Sequence, residues 1–405
     1  MFNMKLKDVG LFSLITYLNQ LGNIAINLLF IAILSPTMLG EVALAKVWMR
    51  GVDYSHLGIR FSIDRYAPIC SKRINRSLLA LCILVSSFVF FLILLFASIF
   101  VNNTNLIIVF LLWGYLLSLG TILKNYFRAC GQNSNMVAVY FIVPVLYTVL
   151  QSIVLYFFGF QKFLIYTLSS CICSIVILLW VYRGQTTFQI KSLYAVFKKV
   201  RGTSTELFFH SILIFFTFAA ERILISYFGG DVVLGKYSVV LFGFTMLQIL
   251  PLTLTQLFFP IVVKNTISQS GNLFYGRLCV KVLIATMLFV LLVCFCLDYL
   301  IALVKEDYLE LSQYIYIVAL GVLPYAFTPI YFQVLNALDR RGILILISAV
   351  SFLLHASILI LYGVFCDELL FGFTLIKTLF CYVPLVMCLI FLFKYNKRKE
   401  VAVNK

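Results

Sequence analysis

Charge is scarce in this chain of 405 residues: Asp, Glu, Lys and Arg together make up 11%, about half the usual share of a soluble domain. Combined with 63% hydrophobic residues and a mean hydropathy of +1.07, that scarcity excludes a water-soluble globular protein and a disordered chain. The apolar runs are continuous and do not alternate, which excludes an outer-membrane barrel. Histidine is scarcer still, with only His56, His210 and His355, in or at the ends of three different apolar runs. No zinc-binding His-Glu motif, Gly-rich phosphate loop or serine-nucleophile elbow occurs, so no catalytic residue, no resident cofactor and no metal are expected. The eleven cysteines lie almost wholly in apolar runs or on one side of them. Cys171/Cys173 and Cys294/Cys296 are two apart on helices and point to nearly opposite faces, so neither a disulfide framework nor a metal site is implied. Acids are also few, 15 against 31 bases, for a net charge of +16. In a soluble chain that excess would suggest nucleic acid.

What the sequence does hold is enough apolar length for twelve crossings of about 20 residues each. The predicted fold is an all-α polytopic membrane protein with spans at 9–34, 40–58, 77–101, 105–123, 136–158 and 163–182, then 205–228, 232–263, 278–300, 311–335, 342–365 and 369–393. The second is the least apolar, since it carries Lys46, Arg50 and Asp53. The start of the chain reads as a retained first helix, because its apolar stretch is long, is interrupted by Asn19, Gln20, Asn23 and Asn27, and has no small-residue cleavage site. With both termini cytoplasmic, 24 of the 31 bases fall on the cytoplasmic side, two (Lys162 and Lys305) outside, and five (Lys46, Arg50, Arg222, Lys236 and Lys377) within or at the edges of spans. Skipping the second span would scramble this positive-inside pattern. Adding the acids gives +19 inside, −6 outside and +3 within the spans, which together make the +16. The excess is therefore chiefly an orientation signal, and no nucleic-acid partner is expected.

Four segments follow: a six-helix bundle at 1–182, a basic cytoplasmic connector at 183–204, a second six-helix bundle at 205–393 and a basic cytoplasmic tail at 394–405. In the connector, Ile190, Leu193, Phe197 and Val200 share one helical face, with Lys191, Lys198, Lys199 and Arg201 off it. This suits either an amphipathic helix on the anionic leaflet or an ordinary basic loop. SPTMLGEVALAKVW, opening the second span, is similar to GGDVVLGKYSVVLF, opening the eighth, with Leu39-Gly40 matching Leu234-Gly235. Phe127-Arg128-Ala129 matches Leu335-Asn336-Ala337 in the same way. Because six is even, such halves form a parallel repeat with a pseudo-two-fold along the membrane normal.

A charged side chain near a helix centre costs about 2.5–3.5 kcal/mol, so it should face protein or a wet cavity. Lys46 and Arg50 share a face at i, i+4, with Asp53 three residues on and within reach of an Arg50 ion pair. His210, Thr217 and Glu221 form a polar stripe in the seventh span, with Arg222 beside Glu221. Arg222 and Lys236 lie within about two turns of the outer end, where snorkelling competes with substrate contact. Lys377 reads as snorkelling or packing. Asn19, Asn23 and Asn27, four apart, either bond neighbouring helices or line water. Five bases against Asp53 and Glu221 favour an anionic ligand, for which Arg50, Lys46, Arg222, Lys236, Asn23 and Asn27 are the candidate contacts. Asp53, Glu221 and His210 are candidates for proton or sodium coupling, since no nucleotide-binding motif supplies energy. Pro251, Pro324 and Pro329 sit where spans could break.

The twelve-span repeat, Leu39-Gly40, the Leu57-Gly58-Ile59-Arg60 corner followed by Asp64-Arg65-Tyr66, and the Arg128-Ala129-Cys130-Gly131 turn together resemble the polysaccharide flippases of the multidrug/oligosaccharidyl-lipid/polysaccharide (MOP) exporter superfamily, within it the O-antigen (Wzx-type) flippases. The resemblance covers essentially the whole chain. It implies a MATE-like fold, a bacterial inner-membrane location, and the transfer of an undecaprenyl-pyrophosphate-linked oligosaccharide from the cytoplasmic to the periplasmic leaflet. It also implies work within membrane lipid alongside an O-antigen polymerase and chain-length regulator. Two other readings stand beside it. A polymerase or ligase of the same pathway would carry a long outer loop with catalytic bases, whereas the longest outer connection here, near Lys305–Glu310, is about ten residues. A MATE-like multidrug antiporter would favour intramembrane carboxylates.

Overall fold

A computed structural model describes residues 6–68, 70–100, 104–183, 190–267, 271–338 and 340–403, and every regular element among them is helical. Apolar runs in lipid must satisfy their backbone polar groups internally, which a helix does residue by residue. The chain divides into two compact units. The first is Met1–Leu34 with Glu41–Ile212, and the second is Ser35–Gly40 with Leu213–Lys405.

The elements run α1 (Leu6–Ile33), α2 (Pro36–Val52), a 3-10 turn at Asp53–His56, α3 (Ile59–Tyr66), α4 (Lys72–Phe100), α5 (Thr104–Ala129) and α6 (Asn133–Tyr140). A π-helical stretch at Phe141–Leu146, centred on Pro144, leads into α7 (Tyr147–Tyr182). Then come α8 (Ile190–Ile267), α9 (Gly271–Val304), α10 (Ser312–Leu320), α11 (Thr328–Ala337), α12 (Arg341–Phe365), α13 (Leu369–Phe380) and α14 (Tyr382–Val403).

Two of these are hairpins. In α7 the hydroxyl of Tyr147 donates to the Thr167 carbonyl at 3.0 Å and Gln151 Nε2 to Thr167 Oγ1 at 3.1 Å. On a straight helix residues 147 and 167 would be about 30 Å apart, so the chain reverses at Gly159, where φ is 76° and ψ 178°. In α8 the Tyr237 hydroxyl donates to Glu221 Oε2 at 3.3 Å, across what would be about 24 Å of helix. The reversal there is Gly230, at φ 73°.

Seven runs are long and apolar enough to cross a membrane. Dividing two of them at these glycines gives nine. The bent pair Tyr308–Leu320 with Leu323–Asn336, at 42°, adds one, and α1 with α2 completes twelve. The chain is a multi-pass membrane protein. The bend in the tenth passage falls at Pro324 and Pro329 as anticipated, where the Leu323–Ala326 turn interrupts the helix. The helix runs on through Pro251.

One local expectation needs correcting. The second passage is not helical to residue 58: α2 stops at Val52, the Asp53–His56 ladder tightens to 3-10 with Ser55 and His56 buried, and left-handed Leu57 (φ 46°) and Gly58 (φ 80°) turn the chain into α3. In the connector, residues 184–189 lie outside those described, and from Ile190 the chain is helix continuous with the seventh passage. Its inward row is Val196, Val200 and Ser204 at i, i+4 spacing, with Ser204 Oγ 2.7 Å from Ser62 Oγ of α3. Phe197, on the apolar stripe of the sequence pattern, is 45% exposed on the protein surface, where an apolar face toward lipid would lie.

The repeated strings acquire a physical reason inside the second unit. A Cβ on Gly40 would overlap the carbonyl oxygen of Asp231, and one on Gly235 would overlap that of Pro36. Residues 36 and 231 are separated by the same 195 positions as 40 and 235. The two glycines are thus the same position of the repeat, each admitting the backbone four residues before the other.

Candidate functional site

In the first unit the polar residues of α1 form a directed chain. Asn19 Nδ2 approaches the Tyr140 hydroxyl at 3.4 Å, Asn23 Nδ2 donates to the Asn19 carbonyl at 2.9 Å, and Asn27 Nδ2 donates to the Asn23 carbonyl at 2.5 Å. The four-residue spacing stacks these amides on one face, and their bonds to i−4 carbonyls turn the side-chain NH2 groups back onto their own helix. Lys46 Nζ then donates to Asn27 Oδ1 at 2.5 Å and sits 4.4 Å from the Phe30 ring centroid. Lys46, Asn23 and Asn27 are therefore brought together by α1 and α2. Arg50, one turn beyond Lys46, is exposed.

Asp53 is closed by Arg60, whose Nη1 donates to Oδ1 at 2.5 Å, with the two side chains 38% and 10% exposed. A helix continued through Asp53 would have aimed it back at Arg50. The 3-10 turn and the corner at Leu57-Gly58 instead bring up the residue seven positions on. Arg60, a cytoplasmic loop charge by the positive-inside count, is 9% exposed.

In the second unit the centre is Glu221, 1% exposed. Lys377 Nζ of α13 donates to its Oε1 at 2.6 Å, and Tyr237 donates to Oε2. His355 Nε2 of α12 lies 3.4 Å from Oε1, within ion-pair reach but without hydrogen-bond geometry. Lys377 also lies 4.3 Å from the Phe218 ring centroid, and the His355 ring stacks on Phe380 at 4.9 Å. Three helices thus supply an acid, a base and an imidazole that meet at one carboxylate oxygen. Snorkelling is excluded for Lys377, which is 3% exposed.

Of the remaining candidates, Arg222 is half-buried beside Glu221 in sequence, and Lys236 forms an exposed pair with Glu310 at 2.8 Å. His210 is half-buried in the first unit, and the imidazole at Glu221 belongs to His355. Arg60, Lys377 and His355 are the residues that sequence reasoning undervalued. A lone mid-span carboxylate needs a cation from another helix, and Lys377 and His355 were among the span bases that could supply one. Among the described residues no group of three or more metal-ligating side chains converges.

No family model matches the chain, and no curated protein matches it. Solved structures do. The lipid II flippase MurJ, in an inward-closed conformation, superposes with a TM-score of 0.66 at 14% identity, over 94% of this chain and 87% of that one. The chain has the MOP-transporter fold. The MATE multidrug transporter DinF-BH shares that fold at TM-score 0.63 and 14% identity, covering 94% and 92%. So does an inward-facing multidrug-resistance MATE transporter of the MOP superfamily, at 0.56 and 14% identity, covering 94% and 96%. The MOP neighbours are transporters and a flippase, and at this identity the likeness establishes the shared fold alone.

Proposed function

We propose that the chain is a non-enzymatic flippase that carries an undecaprenyl-pyrophosphate-linked oligosaccharide, an O-antigen repeat unit, from the cytoplasmic to the periplasmic leaflet of the bacterial inner membrane by alternating access. The observation that carries this reading is the disposal of acid: Asp53 is paired with Arg60 and Glu221 with Lys377, each within its own unit. The carboxylates an organic cation would need are already engaged, while α2 presents Arg50, with Lys46 one turn before it. A guanidinium on an intramembrane helix face suits a pyrophosphate through bidentate hydrogen bonds. Asn23, with its NH2 group turned to the Asn19 carbonyl, offers its amide oxygen to a sugar hydroxyl, and Asn27 holds Lys46 through its own. The fold it shares with a lipid II flippase supports a lipid-linked substrate. A MATE-like antiporter shares the fold equally well, and the sign of the charge on α2 argues against it.

The test is surface polysaccharide in cells carrying variants at equal protein level. Arg50→Ala abolishes it, and Arg50→Lys, which keeps charge but loses the fork, retains part. An Arg50→Ala strain with full-length surface polysaccharide removes Arg50 from the substrate contacts.

A further inference from the structure

The Glu221 centre has the make-up of a receptor for a primary ammonium ion. Its carboxylate accepts from Lys377 Nζ at 2.6 Å through Oε1 and from the Tyr237 hydroxyl at 3.3 Å through Oε2, so both oxygens are engaged. The same Nζ lies 4.3 Å from the Phe218 ring centroid and 5.5 Å from that of Phe244. Ring faces attract a cation within about 6 Å of their centroids, and aromatic surroundings are a recurrent way of recognising ammonium groups. A hard metal cation instead wants a shell of oxygens, and here two rings take up part of the surroundings. Lys377 also borders a cavity of about 230 Å³ shared by four passages, the seventh, the bent tenth, α12, and α13 with α14. Its lining is largely apolar and includes Phe218, Phe332 and Phe380; an apolar space of about 150 Å³ already admits benzene.

We propose that the Glu221 centre is a binding site for a primary alkylammonium ion, which the chain fills with its own Lys377. A cation arriving from water must shed its hydration to reach a carboxylate that is 1% exposed. Lys377, carried by α13 and 3% exposed, is delivered there as the unit folds. The native second unit therefore takes neither Na+ nor K+ at this carboxylate, and Glu221 draws no coupling ion from solution. Without the lysine the carboxylate is stranded, and a free amine of the same shape gains what the lysine gained, with the adjoining cavity giving its alkyl chain room. The assignment is independent of what the chain carries.

The experiment is differential scanning calorimetry of the full chain in amphipol. Lys377→Ala removes Cγ, Cδ, Cε and the ammonium, so n-propylammonium is the matching probe. The variant should melt below the parent, and n-propylammonium should raise its melting temperature by about 3 °C or more at ten times the dissociation constant. Equal concentrations of Na+, or of tetramethylammonium, which has no N–H to donate, should not. Lys377→Ser leaves Oγ in place of Cγ, so ethylammonium matches it, and this pair serves where Lys377→Ala does not accumulate. Glu221→Gln combined with either substitution should abolish the response to the amine, and the parent should melt at the same temperature in Na+, K+ and either amine. Stabilisation of the variants by the matched amine no greater than by Na+ or tetramethylammonium overturns the proposal. So does a response that survives Glu221→Gln, or a parent stabilised by Na+ or by the amines as much as the variants are.

Discussion

Replacing Lys377 with Met tests whether the Glu221 cluster holds the second unit together. Met nearly matches the lysine in volume and removes only the ammonium, so Glu221, 1% exposed, is left with Tyr237 at 3.3 Å and His355 at 3.4 Å. Stranding one member of a buried pair costs about 3–5 kcal/mol, whereas removing both charges together is often nearly neutral. Lys377→Met and Glu221→Gln should therefore each lower thermal stability by that order, and the double variant should recover most of the loss. The three tryptophans, Trp48, Trp113 and Trp180, all lie in the first unit, while Cys279 and Cys388 are buried in the second. Unfolding is followed in parallel by tryptophan fluorescence and by a thiol-reactive dye, in a background where the first unit's Cys70, Cys82, Cys130, Cys171 and Cys173 are replaced by Ala. The dye transition should fall in the single variants and return in the double, with the tryptophan signal moving less. Additive losses in the double variant, or single variants as stable as the parent, would refute the view that this pair is a closed, mutually dependent unit.

The mirror experiment in the first unit is Arg60→Met, which exposes the Asp53 carboxylate. Because Asp53 is already 38% exposed, the cost is smaller, about 1–3 kcal/mol, and here the tryptophan transition should move most. At the repeat contact, Gly235→Ala drives a methyl group into the Pro36 carbonyl and should cost about 1–3 kcal/mol or more, seen as reduced membrane levels. Gly202→Ala, in helix with open space around it, should instead be neutral or stabilise by up to about 1 kcal/mol. Asn27→Leu deletes the acceptor for Lys46. On the flippase reading it lowers surface polysaccharide while leaving the melting transitions within about 2 °C of the parent, a change of about 1 kcal/mol or less.

The fold is readable from the sequence because its determinants are additive: apolar length sets the passages, lysine and arginine counts rescue the polar second one, and the Leu-Gly repeat points to a contact that the glycines themselves explain. The sites are less readable because they depend on where the helix ends and on partners distant in sequence. Pairing Asp53 with Arg50 assumes an α-helical period, and the 3-10 turn at Asp53–His56 breaks that period so that Arg60 arrives in its place. Depth within one span says little about Lys377, whose partner lies 156 residues away. His355 carries no signal of its own, since a single histidine in an apolar helix is uninformative until Glu221 appears beside it. The cavity in the second unit, assembled from four passages, lies beyond anything periodicity could indicate.

The central claim is that the chain moves a lipid-linked glycan across the inner membrane. Deleting the gene and locating the undecaprenyl-linked repeat unit tests it most directly. With glycosyltransferases and polymerase intact, the repeat unit should accumulate on the cytoplasmic leaflet, inaccessible to an impermeant periplasmic label. Accumulation of unpolymerised repeat units on the periplasmic leaflet would contradict the flippase account and point to a polymerase.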